Sequence, residues 1–468
     1  MSVENTHYGA EQIKRMLVGC QSIFFIGIGG ISMSALAFLS HHDGFTVGGS
    51  DRTPGNITRA LEQEGIAVCY GHEGAHVIPY DAVVYTVAID PANPEYLAAK
   101  KAGKPLISRS DYLGYLMSRF ETRVGISGMH GKSTCTAMCA NILLGNGDPT
   151  ILCGAELPSL GNLPCRIGQE RKHFLFEACE YMDSFLDFYP TLAVILNIGM
   201  DHVDYFHSME QIRASFLAYA RRTGPGGTVL YNADDLECVL AMESFEGRRM
   251  TFALDADADF IARNVTLSRG GVTKFDFCCR DEFLCRITLP VFGRHNLYNA
   301  LAAASAATLC GIEPDTIVSG LASFMGAKRR MERKGTLASG AVVYDDYGHH
   351  PDEIRATLAG AREMGFDRIL CAYQPHTYSR TAGLLDGFLQ AFEDADHVYF
   401  ADVYAAREQN IYGVTSETLA QKMGDHASYC GSFEAVAQAL MRDAQDGDLV
   451  IVMGAGDLFK VFDLLDLR

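Results

Sequence analysis

Short apolar runs alternate with longer polar segments along most of the chain. The first block opens with QSIFFIGIGGISMSALAFLS, in which a buried-strand run leads through a glycine turn into a helix of small residues. It continues through the apolar runs of FTVGGSDR, DAVVYTVAID and KPLISRS. Strands that alternate with helical segments in this way predict strand–helix–strand units and a parallel sheet.

A second block begins near Glu121 with the predicted strand TRVGIS. The next segment is predicted to be a helix that ends near Gly145, and its apolar residues recur at i, i+3, i+4 and i+7, namely Cys135, Met138, Cys139 and Ile142. HFLFE and TLAVILN are predicted strands. The alternation from Met250 to Phe292 predicts antiparallel strands with a turn at Gly270–Gly271.

A third block begins near Met325 and repeats the rhythm of the first in AVVYDDYGHHPDEI, DRILCAYQPH, DHVYFADVY and DLVIVMGAGDLF. Pro351 is predicted to be the first residue of a helix, because its missing N–H costs nothing there. At 468 residues the chain is too long for one ordinary core. The three blocks therefore predict an α/β protein with domains at residues 1–118, 119–325 and 326–468.

Composition excludes several classes of protein. A hydrophobic fraction of 48% with 21% charged residues is normal for a globular protein. No apolar run of about 18 residues is present, and the N-terminus lacks the apolar middle of a signal peptide, so we expect a cytoplasmic protein without membrane insertion. The formal charge of −18 argues against a nucleic-acid partner. The 14 cysteines include no C-x-x-C pair, which favours reduced, structural thiols.

The stretch GISGMHGKST resembles a phosphate-binding loop in an unusual register, with glycines at Gly125, Gly128 and Gly131. A strand precedes it and an amphipathic helix follows, so backbone N–H groups and the helix dipole would meet a phosphate. Lys132 would reach the terminal phosphates and the hydroxyl of Ser133 would bind Mg²⁺. The alternative is a strand-to-helix turn that carries an exposed lysine.

Polar clusters follow several other predicted strands. Because ligands bind at the carboxyl ends of parallel strands, these clusters are candidates for metal ligands or for phosphate-side charges. The first two are Glu177, Glu180 and Asp183 in FEACEYMDSFLDFYP, and Asn197, Asp201, His202 and Asp204 in ILNIGMDHVDYF. Helix caps and solvated loop charges are the alternative interpretation.

Three further clusters lie later in the chain. Asn296 and Asn299 in FGRHNLYNALAAASAA share one helix face, although a helix cap would explain an asparagine there as well. The third block carries Asp345, Asp346, His349 and His350 in YDDYGHHPDE, His376 and Arg380 in YQPHTYSRT, and Arg329 and Arg330 in GAKRRMERKG. Clustered Arg and His suit an anionic substrate, whereas a solvated basic turn is the plainer explanation.

Read together, these segments resemble the Mur ligases, the ATP-dependent amide-forming enzymes of peptidoglycan synthesis, and most resemble their alanine-adding branch. Seven motifs fall in the family's order over nearly the whole chain, namely FFIGIGGISMSALA, GISGMHGKST, FEACEYMDSFL, NIGMDHVDYF, GRHNLYNALAA, YDDYGHHPDEI and YQPHTYSR. The resemblance implies Rossmann-like N-terminal and C-terminal domains. Between them it implies a P-loop ATPase-like α/β domain with a small antiparallel β portion.

The resemblance implies that the carboxylate of UDP-N-acetylmuramate attacks ATP to give an acyl phosphate, which the amine of L-alanine then attacks. It implies catalytic roles for Lys132, Glu177, His202 and Arg330, and Mg²⁺, in two ions, at Ser133, Glu177 and His202. It implies ATP contacts from Gly128, Met129, His130, Gly131, Lys132, Ser133, Thr134, Asn296, Asn299 and Asp345. It implies substrate contacts from Gly27, Gly29, Gly30, Ser32, Ser50, Asp51, His349, His376 and Arg380.

The chain departs from the family's motifs at three positions. Met129 and Ser133 stand where the ATP loop usually has threonines, and Ser32 stands where the first motif often has its third glycine. Two alternatives remain open. One is a paralogue that attaches a preformed tripeptide to the same sugar nucleotide. The other is an NAD-dependent oxidoreductase, because Gly27, Gly29 and Gly30 with Asp51 imitate a dinucleotide-binding fingerprint. A monomer or a homodimer is expected.

Overall fold

The computed structural model describes residues 3, 5–202, 205–268, 272–280, 282–324, 329 and 331–468. The chain divides into two compact units. The first unit comprises Met1–Phe260 and Ala302–Thr316, and the second comprises Ile261–Leu301 and Ile317–Arg468. The three predicted domain ranges stay predictions.

The first sheet has five parallel strands in the order β3-β2-β1-β4-β5. These strands are β1 (Ser22–Ile26), β2 (Thr46–Asp51), β3 (Ala67–Tyr70), β4 (Ala82–Tyr85) and β5 (Leu106–Ser108). The helices around them are α1 (Ala10–Met16), α2 (Ile31–His42), α3 (Asn56–Gln63), α4 (Pro94–Lys101) and α5 (Arg109–Met117). The strand order reverses beside β1, and the turn after β1 therefore lies where ligands bind in open parallel sheets.

Within the second sheet, the strands β6 to β12 of the first unit lie in the order β12-β11-β10-β6-β9-β7-β8. The strands are β6 (Thr122–Ser127), β7 (Thr150–Leu157), β8 (Leu163–Arg166), β9 (His173–Glu177), β10 (Leu192–Ile195), β11 (Thr228–Asn232) and β12 (Arg248–Ala253). The helices are α6 (Lys132–Leu144), α7 (Met209–Arg221) and α8 (Leu236–Met242). All neighbouring pairs are parallel except β7 with β8.

Two predictions for this region have different outcomes. The helix after the glycine-rich loop ends at Leu144 and is followed by Gly145, as predicted. The antiparallel segment was predicted to begin near Met250, and this is wrong, because β12 pairs with β11 in parallel. Helix α8 connects β11 to β12, and a helical crossover of this kind returns the chain in the same direction.

In the second unit, β13 (Phe260–Ser268), β14 (Val272–Cys279) and β15 (Glu282–Leu289) are neighbours in that order. Strands β14 and β15 are antiparallel, as predicted. The predicted turn at Gly270–Gly271 lies outside the described residues. Two helices follow in the chain, α9 (Arg294–Leu309) and α10 (Pro314–Ala322), and the stretch Ala302–Thr316 belongs to the first unit.

The last sheet has six strands in the order β16-β17-β21-β18-β19-β20, and only β16 is antiparallel to its neighbour. The strands are β16 (Glu332–Thr336), β17 (Val342–Asp346), β18 (Ile369–Tyr373), β19 (His397–Ala401), β20 (Ala427–Gly431) and β21 (Leu449–Met453). The helices are α11 (Pro351–Arg362), α12 (Tyr378–Gly383), α13 (Leu385–Ala391), α14 (Ser416–Met423) and α15 (Phe433–Asp443). Pro351 begins α11, as predicted.

The architecture confirms the predicted α/β class, since parallel sheets with crossover helices make up most of both units. Strands such as SIFFI and LVIVM are almost wholly buried because helices pack on parallel sheets from both faces. Within the described part of the chain, no helix combines the length and the apolar character that crossing a membrane requires.

Candidate active site

The glycine-rich loop joins β6 to α6 and places its backbone N–H groups at the N-terminus of that helix. Gly131 precedes α6 with a φ of 85°, and Gly128 has a φ of 137°, so both lie in the region that favours glycine. A Cβ atom on Gly128 would lie 3.0 Å from the Cβ of Leu196. Thr134 is buried in the first turn of the helix. Free N–H groups and the helix dipole favour a phosphate here.

Asn197, which follows β10, holds this loop in its shape. Its Oδ1 accepts a hydrogen bond from the N–H of His130 at 2.8 Å, and its Nδ2 donates to the His130 carbonyl at 2.9 Å. The carbonyl of Asn197 also accepts from the N–H of Met129 at 3.2 Å. Three bonds from one residue fix two successive residues, so the protein itself sets the shape of the loop.

The side chain of Met129 lies in the core beneath the loop, with only 6% of its surface exposed. It belongs to the same buried cluster as Phe176 and Ile195. Its N–H is bonded to Asn197, and its carbonyl accepts a bond from Lys132 at 3.2 Å. The structure therefore does not bring the Met129 side chain to the surface of the loop, where the sequence predicts a nucleotide contact.

The ammonium group of Lys132 is folded over the loop. Its Nζ donates to the carbonyl of Gly128 at 2.5 Å and lies 3.0 Å from Oε2 of Glu180. Burial alone would lower the pKa of Lys132, but the negative charge of Glu180 outweighs it and raises the pKa. The lysine is therefore charged and is held at the position where a phosphate would enter the loop.

Glu180 connects Lys132 to His202. Its side chain is almost fully buried, and its Oε1 lies 3.2 Å from Nε2 of His202. Burial alone would raise the pKa of Glu180, but Lys132 and the hydrogen bond from His202 lower it overall, so the carboxylate stays ionised. The sequence predicts that His202 binds a metal together with Glu177. The structure brings the imidazole to Glu180.

Ser133 and Glu177, the other two predicted metal ligands, meet directly. The hydroxyl of Ser133 donates to Oε2 of Glu177 at 3.1 Å. Oε1 of Glu177 accepts from the N–H of Gly154 at 2.5 Å and from the thiol of Cys153 at 3.1 Å. These two bonds fix the carboxylate against β7. A hydroxyl and a carboxylate are the hard oxygen ligands that Mg²⁺ prefers, so the residues fit this ion.

The first glycine-rich turn, between β1 and α2, is closed by residues at the end of β2. Gly27 has a φ of 82°, and its N–H donates to the carbonyl of Ser50 at 2.8 Å. The N–H of Gly29 donates to Oδ2 of Asp51 at 2.8 Å. Asp51 therefore lies against the turn, whereas the oxidoreductase alternative needs this carboxylate for a ribose hydroxyl. Gly30 precedes the first residue of α2 and is exposed.

The hydroxyl of Ser50, predicted to bind substrate, points into the protein. Ser50 is fully buried, and its Oγ donates to Oε2 of Glu95 at 2.6 Å. The buried carboxylate of Glu95 also lies 2.8 Å from Nδ1 of His72 and 2.8 Å from Nδ1 of His76. The structure therefore places the Ser50 side chain in a buried polar cluster behind the sheet edge, away from the turn's surface.

In the second unit, Asp345 lies near the carboxyl end of β17 and is almost fully buried. Its Oδ2 lies 3.6 Å from Nε of Arg329. Burial raises the pKa of Asp345 to about 7 despite the opposing charge of Arg329, and repulsion from Asp346 acts in the same direction as burial. Oδ1 of Asp345 has no hydrogen-bond partner among the described residues. A buried oxygen of this kind suits a hydrogen-bond donor on a ligand.

Arg329 is fixed beside the end of β21. Its guanidinium donates to the carbonyls of Gly454 and Gly456 and lies 4.9 Å from the ring centroid of Tyr347. Arg330, the arginine that the sequence analysis assigns to catalysis, lies outside the described residues. Its predicted role therefore stays a prediction.

The three residues predicted for the amino-acid side come together at the ends of β17 and β18. The ring centroids of His349 and His376 are 6.1 Å apart, and Nη1 of Arg380 donates to Nδ1 of His376 at 3.2 Å. His376 also stacks on Tyr404 at 5.4 Å. Burial and the charge of Arg380 lower the pKa of His376, so this imidazole is neutral at pH 7.

Asn296 and Asn299 both lie inside α9, which begins at Arg294. Both side chains are buried. The amide of Asn296 donates to the carbonyl of Phe292 at 2.7 Å, so it secures the start of the helix. Any contact of the two asparagines with ATP remains a prediction.

Four residues in the described site have no individual assignment from the sequence, namely Asn197, Glu180, Cys153 and Arg109. Asn197 and Glu180 stood in the predicted clusters, and their positions shortly after the ends of β10 and β9 were the signal that could have assigned them. Cys153 and Arg109 gave no local signal. Cys153 contacts Glu177, which is 24 residues away in the sequence, and Arg109 contacts Ser32, which is 77 residues away.

Family profiles match three successive parts of the chain. The profile described as the Mur ligase family catalytic domain matches residues 22–121. The Mur ligase middle domain matches residues 126–307, and the Mur ligase glutamate ligase domain matches residues 329–456.

Full-length relatives give the same family. A UDP-N-acetylmuramate–L-alanine ligase from Agathobacter rectalis is 41% identical over 445 residues, which cover 94% of this chain and 96% of the relative. The enzyme of that name from Acetivibrio thermocellus is 42% identical over 447 residues, covering 94% of this chain and 95% of the relative.

Solved structures share the fold. A UDP-N-acetylmuramate-alanine ligase from Thermotoga maritima aligns with a TM-score of 0.77 at 25% identity, covering 95% of this chain and 97% of the other. A murein peptide ligase from Psychrobacter arcticus aligns with a TM-score of 0.68 at 23% identity, covering 95% and 98%. On its sequence matches and its fold, this chain belongs to the Mur ligase family.

Proposed function

We propose that this protein uses ATP to join L-alanine to the carboxylate of UDP-N-acetylmuramate. The observation that carries the proposal is the loop before α6, where a charged Lys132 lies over the phosphate position and Ser133 meets Glu177 beside it. Alanine-adding relatives that are 41% identical over 94% of the chain support the choice of substrates.

The first step brings a carboxylate to a triphosphate. A carboxylate oxygen attacks the γ-phosphorus, the bond between the γ-phosphorus and the bridging oxygen breaks, and ADP leaves with an acyl phosphate formed. Both reactants are anions, so cations must lower their repulsion. Lys132 provides one positive charge, which Glu180 holds at the loop. The N–H groups at the start of α6 stabilise the phosphate oxygens.

Ser133 and Glu177 would hold Mg²⁺ next to the lysine. Bound there, the ion would neutralise charge on the β- and γ-phosphates. The predicted second ion would require Nε2 of His202 to leave Glu180, which it contacts at 3.2 Å. In this proposal, His202 first serves to keep Glu180 ionised and in place.

In the second step a neutral amine attacks the acyl carbon, the bond between that carbon and the phosphate oxygen breaks, and the proton lost by nitrogen leaves with the phosphate. Arg380 is suited to the carboxylate of the incoming amino acid, because a guanidinium forms paired hydrogen bonds with a carboxylate. Neutral His376 and the adjacent His349 complete this rim. Asn296, Asn299 and Asp345 are assigned to ATP by the resemblance to the family. A cytoplasmic location and a monomeric or homodimeric state are proposed with this role.

Phosphate release from ATP tests the proposal. The purified protein is supplied with UDP-N-acetylmuramate and, in turn, with L-Ala, Gly, L-Ser or a tripeptide. We expect release to depend on L-Ala and on the sugar nucleotide. Absence of amino-acid-dependent release with every acceptor would contradict the ligase activity. Release with the tripeptide alone would identify the tripeptide-adding paralogue.

A further inference from the structure

Arg109 is a partly buried guanidinium that the mechanism above does not use. It is the first residue of α5, which starts where β5 ends, at the same carboxyl edge of the first sheet as the glycine turn. Its Nη1 donates to Oγ of Ser32 at 3.1 Å. No other hydrogen bond of this side chain joins described residues. A guanidinium has five N–H donors, so most of them remain available to a ligand or to water.

Helix α5 also extends along the part of the first unit that carries the lysine site. A Cβ atom on Gly114 would lie 2.1 Å from the carbonyl oxygen of Asp187, so the helix packs directly on the segment Tyr181–Asp187. Asp187 and Cys179 both act electrostatically on Arg109. Cys179 immediately precedes Glu180, the partner of Lys132. Arg109 therefore lies beside the first glycine turn, on a helix that packs against the segment following Glu180.

Ser32 explains why the guanidinium takes this position. The residue lies in the first turn of α2, where Mur ligases often have a glycine. Glycine has no side chain, so the bond to Arg109 depends on this chain's serine. The hydroxyl accepts one N–H of the guanidinium and so holds it at the first turn of α2, where the helix dipole also favours an anion.

We propose that Arg109, oriented by the Ser32 hydroxyl, binds an anionic group of the sugar nucleotide. The inference rests on the proposed function, because UDP-N-acetylmuramate supplies the anion. This compound has two anionic groups, the diphosphate and the carboxylate that reacts. Arginine forms paired hydrogen bonds with either of them. Arg109 acts as a binding residue, and Ser32 acts as a positioning residue.

Calorimetric titration with UDP, UDP-N-acetylglucosamine and UDP-N-acetylmuramate tests the inference on Arg109→Gln, Arg109→Lys and Ser32→Ala. Arg15→Gln is the matched control, because Arg15 is exposed on α1 and its loss changes the net charge equally. We expect Arg109→Gln to weaken binding of UDP-N-acetylmuramate on the order of 10- to 100-fold. Arg109→Lys should lose less, because lysine keeps the charge without the planar pair of donors.

The three ligands distinguish the two anions. Equal weakening for all three ligands assigns Arg109 to the diphosphate. Weakening for UDP-N-acetylmuramate alone assigns it to the carboxylate. Unchanged affinity of Arg109→Gln for all three ligands would overturn the inference while the proposed function stands. A wild-type protein that does not bind UDP-N-acetylmuramate would instead contradict the proposed function. If Arg109→Gln does not fold, Arg109→Lys decides, and unchanged affinity there rejects the paired-donor role.

Steady-state kinetics test the role of Ser32. We expect Ser32→Ala to raise the KM for UDP-N-acetylmuramate about threefold to tenfold with the KM for ATP unchanged. In the Arg109→Gln background the same change should have no further effect, since a positioning residue acts only through its partner. A loss from Ser32→Ala that is just as large in that background would reject the positioning role.

Discussion

The two glycine-rich turns of the first unit share the order strand, turn, helix and differ in where their charge comes from. Each turn follows a buried strand and leads into a helix. The loop before α6 carries its own cation, because Lys132 is the first residue of that helix and Glu180 holds it in place. The turn before α2 has no lysine, and the carboxylate of Asp51 binds the N–H of Gly29.

On the proposed function, the strand–turn–helix unit sets where a phosphate lies, and the neighbouring charges set what happens to it. A phosphate that reacts develops charge in the transition state and needs a fixed cation beside it. A phosphate that only anchors a substrate is bound equally in the ground and transition states, and N–H groups with one more distant cation are sufficient. The loop before α6 fits the first task and the turn before α2 fits the second.

The largest expected effect comes from removing the cation of the reactive loop. Lys132→Ala should lower kcat about 10²- to 10³-fold, because the group acts on charge that develops in the transition state. The KM for UDP-N-acetylmuramate should change less than about twofold. Lys100→Ala, at an exposed lysine of α4, is the control. If Lys132→Ala keeps the full kcat, the loop before α6 does not depend on its own cation, and the proposed difference between the two turns is wrong.

A smaller effect is expected for the predicted metal ligand. Glu177→Gln should lower activity about 10- to 100-fold at a fixed Mg²⁺ concentration and should raise the Mg²⁺ concentration for half-maximal rate. The measurement is a Mg²⁺ titration of phosphate release. Glu170→Gln, at an exposed carboxylate, serves as the control. If both variants have the same half-maximal Mg²⁺ concentration, Glu177 is not a ligand of the metal.

A pair of substitutions compares the supports of the two turns. Asn197→Ala removes the two side-chain bonds to His130 and should raise the KM for ATP about tenfold with the KM for UDP-N-acetylmuramate unchanged. Asp51→Ala removes the bond to Gly29 and should raise the KM for UDP-N-acetylmuramate with the KM for ATP unchanged. Each variant is the control for the other. An equal rise in both KM values for either variant would mean that the turns are not independent.

The smallest effect concerns stability in acid. The pKa of Glu180 is lowered in the folded protein, so its ionised form contributes stability above the pKa of about 4.3 that glutamate has in an unfolded chain. That contribution is lost as the pH falls through the lower folded value. The free energy of unfolding of the wild type, measured in urea, should therefore fall as the pH is lowered. For Glu180→Gln this free energy should fall less over the same pH range. Equal slopes would place Glu180 outside the acid response.

The sequence predicted most elements that hydrophobic periodicity controls. The strands before both turns, the end of α6 and the start of α11 at Pro351 all agree with the structure. These features depend on neighbours within a few residues. The parallel direction of β12 was missed, because strand direction depends on the crossover of α8 and not on the alternation of side chains.

Side-chain positions in the site could be predicted where residue type and loop geometry determine them. They were harder to predict where contacts between residues distant in the sequence determine them. Ser133 and Glu177 were predicted to bind the same metal, which stays a prediction, and the structure brings Oγ of Ser133 to 3.1 Å from Oε2 of Glu177. His202 contacts Glu180 because the segments after β9 and β10 place these two side chains together. Ser50 turns inward because Glu95, 45 residues away, accepts its hydroxyl. No local pattern in the sequence contains that pairing.

The burial of Met129 has a consequence for selective inhibitors. A compound seated in the loop meets the same backbone whether residue 129 is methionine or threonine, because this side chain faces the core. Discrimination from relatives with threonine at that position therefore cannot come from contacts there. Ser133 offers a better opportunity, because its side chain lacks the methyl group of the usual threonine and its hydroxyl lies at the start of α6, next to the loop. We expect an ATP-site ligand with one added methyl group directed at Ser133 to bind this protein more tightly than relatives with threonine there.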